Sequence, residues 1–167
     1  QTGTERDGPV VAIDRPSGVR DAVHHLAAVG RRSIAYVGPP GSVNRTDGYR
    51  RAMAELGRDA RELSVPPGTS YRTIVAKLMA AVPDVDAVQV YSDEKALELL
   101  AGFHDAGIPV PQQIAGVGFD DRAAARLAWP PLSTVAQPNE AVGAAAAELI
   151  LDAPADGPAN EKILVPT

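Results

Sequence analysis

The sequence predicts an α/β fold, with a parallel, doubly wound sheet flanked by helices on both faces. Three observations lead there. Short apolar runs alternate along the chain with longer stretches whose apolar residues recur at helical spacing. The short runs are apolar nearly throughout rather than at every second position, as strands covered on both faces are. Gly or Pro punctuates most junctions, so each element has a physical stop.

Pro9 to Ile13 reads as the first strand, ending at Asp14. Gly18 to Val29 reads as a helix with Val19, Ala22, Val23 and Leu26 on one face, and Gly30 takes the position past its end. Ser33 to Val37 is a strand closed by Gly38-Pro39-Pro40-Gly41. Arg45 to Leu56 is a helix with Tyr49, Ala52, Met53 and Leu56 on one face. Glu62 to Val65 is a weak strand before Pro66-Pro67-Gly68, and Ser70 to Val82 is a helix carrying Ile74, Val75, Leu78 and Met79. Val85 to Tyr91 is a strand, and Asp93 is placed to cap the helix that runs to Ala106, with Gly107 after it. Ile114 to Phe119 is the next strand and ends on Asp120 and Asp121, of which Asp121 reads as a cap for the Ala-rich segment that follows. Trp129-Pro130-Pro131 reads as a rigid packed corner before a second extended run, Leu132 to Val135. Asn139 caps an Ala-rich helix to Leu151, whose Ala144–Ala147 run reads as a close-packed face. A loop from Asp152 to Asn160 leads to a last strand, Lys162 to Val165.

Composition narrows the function. A 167-residue chain that is 45% hydrophobic suits one globular domain or part of a larger one. No apolar run reaches the roughly 18 to 20 residues of a membrane span. The net charge of −5 gives no phosphate-binding surface. The absence of Cys excludes disulfides and thiol catalysis. Gln1 to Gly8 is polar and unpatterned, and with no Met at its start the chain reads as an excised or processed fragment.

The motifs for chemistry are mostly missing. There is no GxxxxGK[ST] loop, no GxGxxG after the first strand and no GxSxG elbow. His24 and His25 point apart on a helix, His104 stands alone, and no spacing suits a metal, so no cofactor is expected. The positive signal is positional. Asn44 and Arg45, Ser92 and Asp93, and Asp120 and Asp121 each follow a different strand, and in a parallel sheet all strand ends meet at one edge. A guanidinium donates in a planar fork and a carboxylate accepts at two oxygens, so together they match vicinal hydroxyls or a purine edge. Singly, each has a plainer reading: Asp93 as a cap, Arg45 as a partner for Asp47 or solvent, Asp14 as a strand end.

Four segments resemble the effector-binding core of the LacI family of bacterial transcription regulators, whose fold is that of type I periplasmic sugar-binding proteins. Pro9–Arg15 is similar to the family's strand ending on Asp. Ala22–Gly38 is similar to its AxxHLxxLGHRRIAxIG block, and Arg45–Arg50 to its RxxGYR entry. Ile108–Val135 is similar to its VPxDvsVvGFDD…PPLTTV signature. The resemblance implies a sensor and not an enzyme. It implies that a small effector, a sugar or related polyol or nucleobase, meets Arg45, Ser92 and Asp120, with Asn44 beside them and Asp14 facing the same cleft. It implies a homodimer in the cytoplasm, without membrane association, that reaches operator DNA only through a headpiece these residues lack, and that ligand binding switches allosterically.

The resemblance also implies a domain layout: a tail at 1–8, a remnant of the N-terminal subdomain at 9–17, and a nearly complete C-terminal effector-binding subdomain at 18–128. The crossover strand and helix of the truncated N-terminal subdomain fall at 129–152, and 153–167 is a return strand of the C-terminal one. The sequence departs from the family in the short Pro16-Ser17 connection, in Pro66-Pro67 where relatives place a stacking aromatic, in Glu98 on a helix used for dimerisation, and in Arg31 for His. A periplasmic sugar-binding component of a transporter is the alternative. An Asp-dependent enzyme or phosphoreceiver would need an acidic cluster at the first strand and a late Lys, and that arrangement is not found.

Overall fold

A computed structural model describes residues 10–151 and 162–167. The expected tail at 1–8 and the expected loop at 152–160 therefore lie outside the described residues. The described residues form two units, 15–136 and 10–14 with 137–151 and 162–167.

The larger unit holds a five-stranded parallel sheet of β2 (Ile34–Gly38), β3 (Arg61–Ser64), β4 (Ala87–Val90), β5 (Ala115–Asp120) and β6 (Ser133–Ala136), in the order β3-β2-β4-β5-β6. Its helices are α1 (Arg15–Ala28), α2 (Val43–Glu55), α3 (Tyr71–Ala81), α4 (Asp93–Asp105) and the short α5 (Ala123–Leu127). Alternation along the strands feeds two cores. Ile34 and Tyr36 pack with Val19, Val23, Leu26, Tyr49 and Met53 of α1 and α2. Ala35 and Val37 pack with Ile74, Leu78, Leu99 and Phe103 of α3 and α4. The predicted doubly wound arrangement is the observed one. From β2 the chain steps one way to β3 and then back past β2 to β4. The reversal lies between the carboxyl ends of β2 and β4, where open α/β sheets bind ligands.

Local chemistry explains most boundaries. Ser70 caps α3 by accepting the Thr73 N–H. The helix α1 begins at Arg15, earlier than the predicted Gly18, because Pro16 is tolerated in a first turn whose N–H groups have no intrahelical partner. Gly48 is the contact point of α1 and α2, since a Cβ there would collide with the Pro16 backbone.

Three local expectations are corrected. Ser92, not Asp93, caps α4: its hydroxyl accepts the Lys95 N–H at 3.3 Å, and Asp93 is the first helical residue. Asp121 does not cap α5, because its carboxylate turns to Arg126 at 2.8 Å and Arg122 holds the cap position. Trp129 is not packed; it is 93% exposed, because the chain turns inward only at Leu132.

The smaller unit contains β1 (Val10–Ile13) and β7 (Lys162–Val165), paired in parallel, and α6 (Asn139–Leu151). The Ala144–Ala147 face of α6 is not buried, since a two-stranded sheet offers little surface to cover it. These pairings revise the predicted domain layout. The expected layout puts the strand and helix of 129–152 together in the N-terminal subdomain, yet β6 pairs with β5 from Val117↔Ser133 to Asp120↔Ala136. The last strand was assigned to the larger subdomain, yet β7 pairs with β1. The short α5 crossover returns the chain directly beside β5, so hydrogen bonding keeps β6 in the larger sheet.

Candidate functional site

The carboxyl ends of β2, β4 and β5 supply the polar groups of the site. Arg45 lies in the first turn of α2, and its Nη2 stands 3.6 Å from Asp120 Oδ1 at the end of β5. That gap is long for a hydrogen bond and short for a charge pair. Both side chains are largely withdrawn from water, at 18% and 17% exposure. The guanidinium carbon sits 4.5 Å from the Phe119 ring centre, a cation–π contact. Burial lowers the Arg45 pKa from its ordinary value, the Asp120 charge opposes that shift, and the Arg15 charge adds to it. The group stays a cation with the usual donor set. Its Nε is buried and has no hydrogen-bond partner.

Asp120 and Asp121 carry positive φ values of 125° and 50°. For a residue with a Cβ, conformations of this kind cost about 1–3 kcal/mol and persist only where neighbours enforce them. The neighbours here form one network. Asp93, fully buried at the start of α4, accepts the Arg122 N–H at 2.7 Å and the Thr134 hydroxyl at 2.5 Å. The Thr134 oxygen in turn lies 3.3 Å from the Asp121 N–H. Arg122 adds a peripheral cation, its Nε 4.0 Å from Asp120 Oδ2.

The structure brings Arg45 and Asp120 together, as their positions after different strands predicted. Ser92 sits buried at the same edge, with its oxygen accepting from Lys95 and its own proton available to donate. Asn44 is exposed and directly precedes Arg45 in the first turn of α2. Asp14 follows β1 in the smaller unit, where its N–H bonds the Val165 carbonyl at 2.9 Å. Two participants went unnoticed in the sequence. Phe119 could have been found from strand parity, because Ala115, Val117 and Phe119 share the face that α1 and α2 cover. Thr134 carried no local signal.

A charge pair with an orphan donor, flanked by a buried hydroxyl, can take a ligand hydroxyl that donates to the carboxylate while its neighbour accepts from the guanidinium. Among the described residues no group of His, Cys, Asp or Glu could hold a metal ion, and no helix is long and apolar enough to cross a membrane.

Residues 23–167 match the model of the periplasmic binding protein-like domain. The chain belongs to that family. It is the form of the domain carried by LacI-family transcription regulators. Over 150 residues it is 37% identical to the HTH-type transcriptional regulator CelR of Thermobifida fusca, covering 85% of this chain and 44% of that protein. A solved CelR–cellobiose complex superposes with a TM-score of 0.84 at 30% identity, over 97% of this domain and 52% of that chain. A LacI-family regulator from Enterococcus faecium with bound ribose gives a TM-score of 0.83 at 25% identity, over 98% of this domain and 63% of that chain. The periplasmic binding protein-like domain described here thus spans about half the length of CelR.

Proposed function

We propose that this chain is the effector-binding part of a LacI-type regulator, and that it takes a sugar, or a related polyol or nucleobase, against Arg45 and Asp120. The observation that carries the reading is the half-buried Arg45–Asp120 pair, with Arg45 over Phe119, at the strand-order reversal. Ser92 lies at the same edge and Asn44 at its rim. Two solved relatives are named as complexes with cellobiose and with ribose, which points to the same ligand class. The protein acts as a sensor rather than an enzyme, in the cytoplasm and as a homodimer. Its effector changes operator affinity by differing in affinity for two arrangements of the dimer. Operator contact belongs to a DNA-binding segment other than these residues, whose net charge of −5 repels phosphate.

The test is a thermal-shift screen of sugars, nucleosides and their phosphates on the intact protein, followed by calorimetry. A specific ligand at a hundred times its Kd adds about 2.7 kcal/mol of stability. Asp120→Asn is expected to abolish that gain and to keep the fold. A panel without a binder, or unchanged affinity in the variant, overturns the reading.

A further inference from the structure

We infer that Asp93 is a positioning residue, which sets the Asp120 carboxylate for the ligand through Thr134 and the backbone of the β5–α5 turn. The inference rests on the proposed role of Asp120 and goes beyond it, because it assigns a role to Asp93, whose carboxylate binds the turn after Asp120.

The argument starts from cost. A carboxylate with no exposure is expensive to keep unless its oxygens are fully used. Those of Asp93 reach across the sheet edge, one to the Arg122 N–H and the other to the Thr134 hydroxyl. The sheet is shaped for this: a Cβ at Gly118 would overlap Asp93 Oδ1, so glycine in β5 leaves the room the carboxylate occupies. Polarity then fixes the whole network. Thr134 has one proton and gives it to Asp93, so its lone pairs face the Asp121 N–H. The two N–H groups held in this way, of Asp121 and Arg122, immediately follow Asp120. Their hydrogen bonds lie where they can hold the positive φ at Asp120 and Asp121. An amide replaces the carboxylate poorly: with its oxygen on the Arg122 N–H it accepts without a charge, and its NH2 leaves the Thr134 proton without this acceptor. Asp93 also opens α4 directly after Ser92, so the same carboxylate ties the ligand edge to that helix.

Hydrogen exchange measured by NMR on the intact protein tests this, with cellobiose as the calorimetric probe. In Asp93→Asn the Arg122 amide is expected to exchange at least about tenfold faster, and in Thr134→Val the Asp121 amide likewise. Thr134→Ser retains the hydroxyl and restores wild-type exchange, while amides of β2 keep their rates in every variant. Cellobiose affinity falls about tenfold in Thr134→Val and recovers in Thr134→Ser. If Asp93→Asn does not fold, the Thr134 pair decides alone. Unchanged exchange at Asp121 and Arg122 overturns the inference, and so does fast exchange with unaltered cellobiose affinity. If neither cellobiose nor any sugar of the panel binds the wild type, the proposed function fails, while the exchange rates still decide whether Asp93 sets the turn.

Discussion

At the amino edge of the five-stranded sheet, the Asp86 carboxylate accepts the backbone N–H groups of Arg32 and Ser33 at 2.8 and 3.0 Å. Arg31 donates to the carbonyls of Pro111 and Gln112, Arg58 to that of Arg31, and Arg61 pairs with Asp84. At the carboxyl edge, Arg45 keeps a buried Nε without a partner and stands beyond hydrogen-bond distance of Asp120, whose backbone is itself strained. Charged side chains tie the chain to itself at both edges, through Asp93 and Asp121 at the carboxyl edge, but Arg45 is the charged group left there with an unmet donor among the described residues. At the amino edge the Ser33 hydroxyl is an orphan too, though leaving a neutral hydroxyl unmet costs less than leaving a charged donor unmet. The difference separates a fold-holding edge from one with bonding capacity left for a ligand.

Asp120→Ala tests the carboxyl edge most severely. It removes the acceptor of the pair, and effector affinity is expected to fall at least about a hundredfold, or roughly 2.7 kcal/mol. Calorimetry with whichever sugar binds the wild type reads this directly. Asp86→Ala is the matching change at the other edge. It leaves two N–H groups without their acceptor and is expected to cost about 1–3 kcal/mol of stability in urea unfolding, with ligand affinity unchanged. An Asp86 variant that loses affinity as steeply as the Asp120 variant would end the distinction between the edges.

The strain at Asp120 gives a finer comparison. Glycine adopts a φ of 125° without the Cβ clash that alanine meets. Neither residue carries the charge, so the pair isolates the backbone. Asp120→Gly is expected to be more stable than Asp120→Ala by about 1 kcal/mol, although it buries less carbon. Equal melting temperatures would show that the turn carries no strain.

Part of the carboxyl edge is legible in the sequence and part is not, and the reason is physical. Convergence of Arg45, Ser92 and Asp120 follows from strand direction alone, which apolar runs and helix punctuation reveal. Asp93 and Ser92 were harder, because either side chain can cap a helix. Which one does so depends on Gly118, Thr134 and Arg122, whose proximity arises only when β5 and β6 pair. Hydrogen bonding between distant strands also decided the domain layout. The run from Leu132 to Val135 looks the same whether it joins β5 or a separate sheet. The apolar Trp129 suggested a buried corner, but a hydrophobic residue is a poor guide to burial when its neighbours are turn-forming prolines.

The Arg72–Asp105 pair, on the exposed side of α3 and α4, gives both edges a baseline. Its guanidinium donates through Nε and Nη2 at 3.2 and 3.0 Å, and the Tyr71 hydroxyl lies 3.2 Å from the same oxygen. The Arg72 hydrogen bond, assisted by Tyr71, holds the Asp105 pKa below its ordinary value. A carboxylate with a depressed folded pKa stabilises the fold above its unfolded pKa of about 3.9, and that contribution is lost as pH falls through the folded value. Asp105→Asn is therefore expected to lower the urea midpoint slightly at pH 7. The gap to wild type should close as the pH is taken below about 4. Because the pair is solvent-screened, the effect should be the smallest of the four and should shrink further in high salt. A gap that widened on acidification would mean that Asp105 is better held protonated than charged, and the sign of the Arg72 interaction would be wrong.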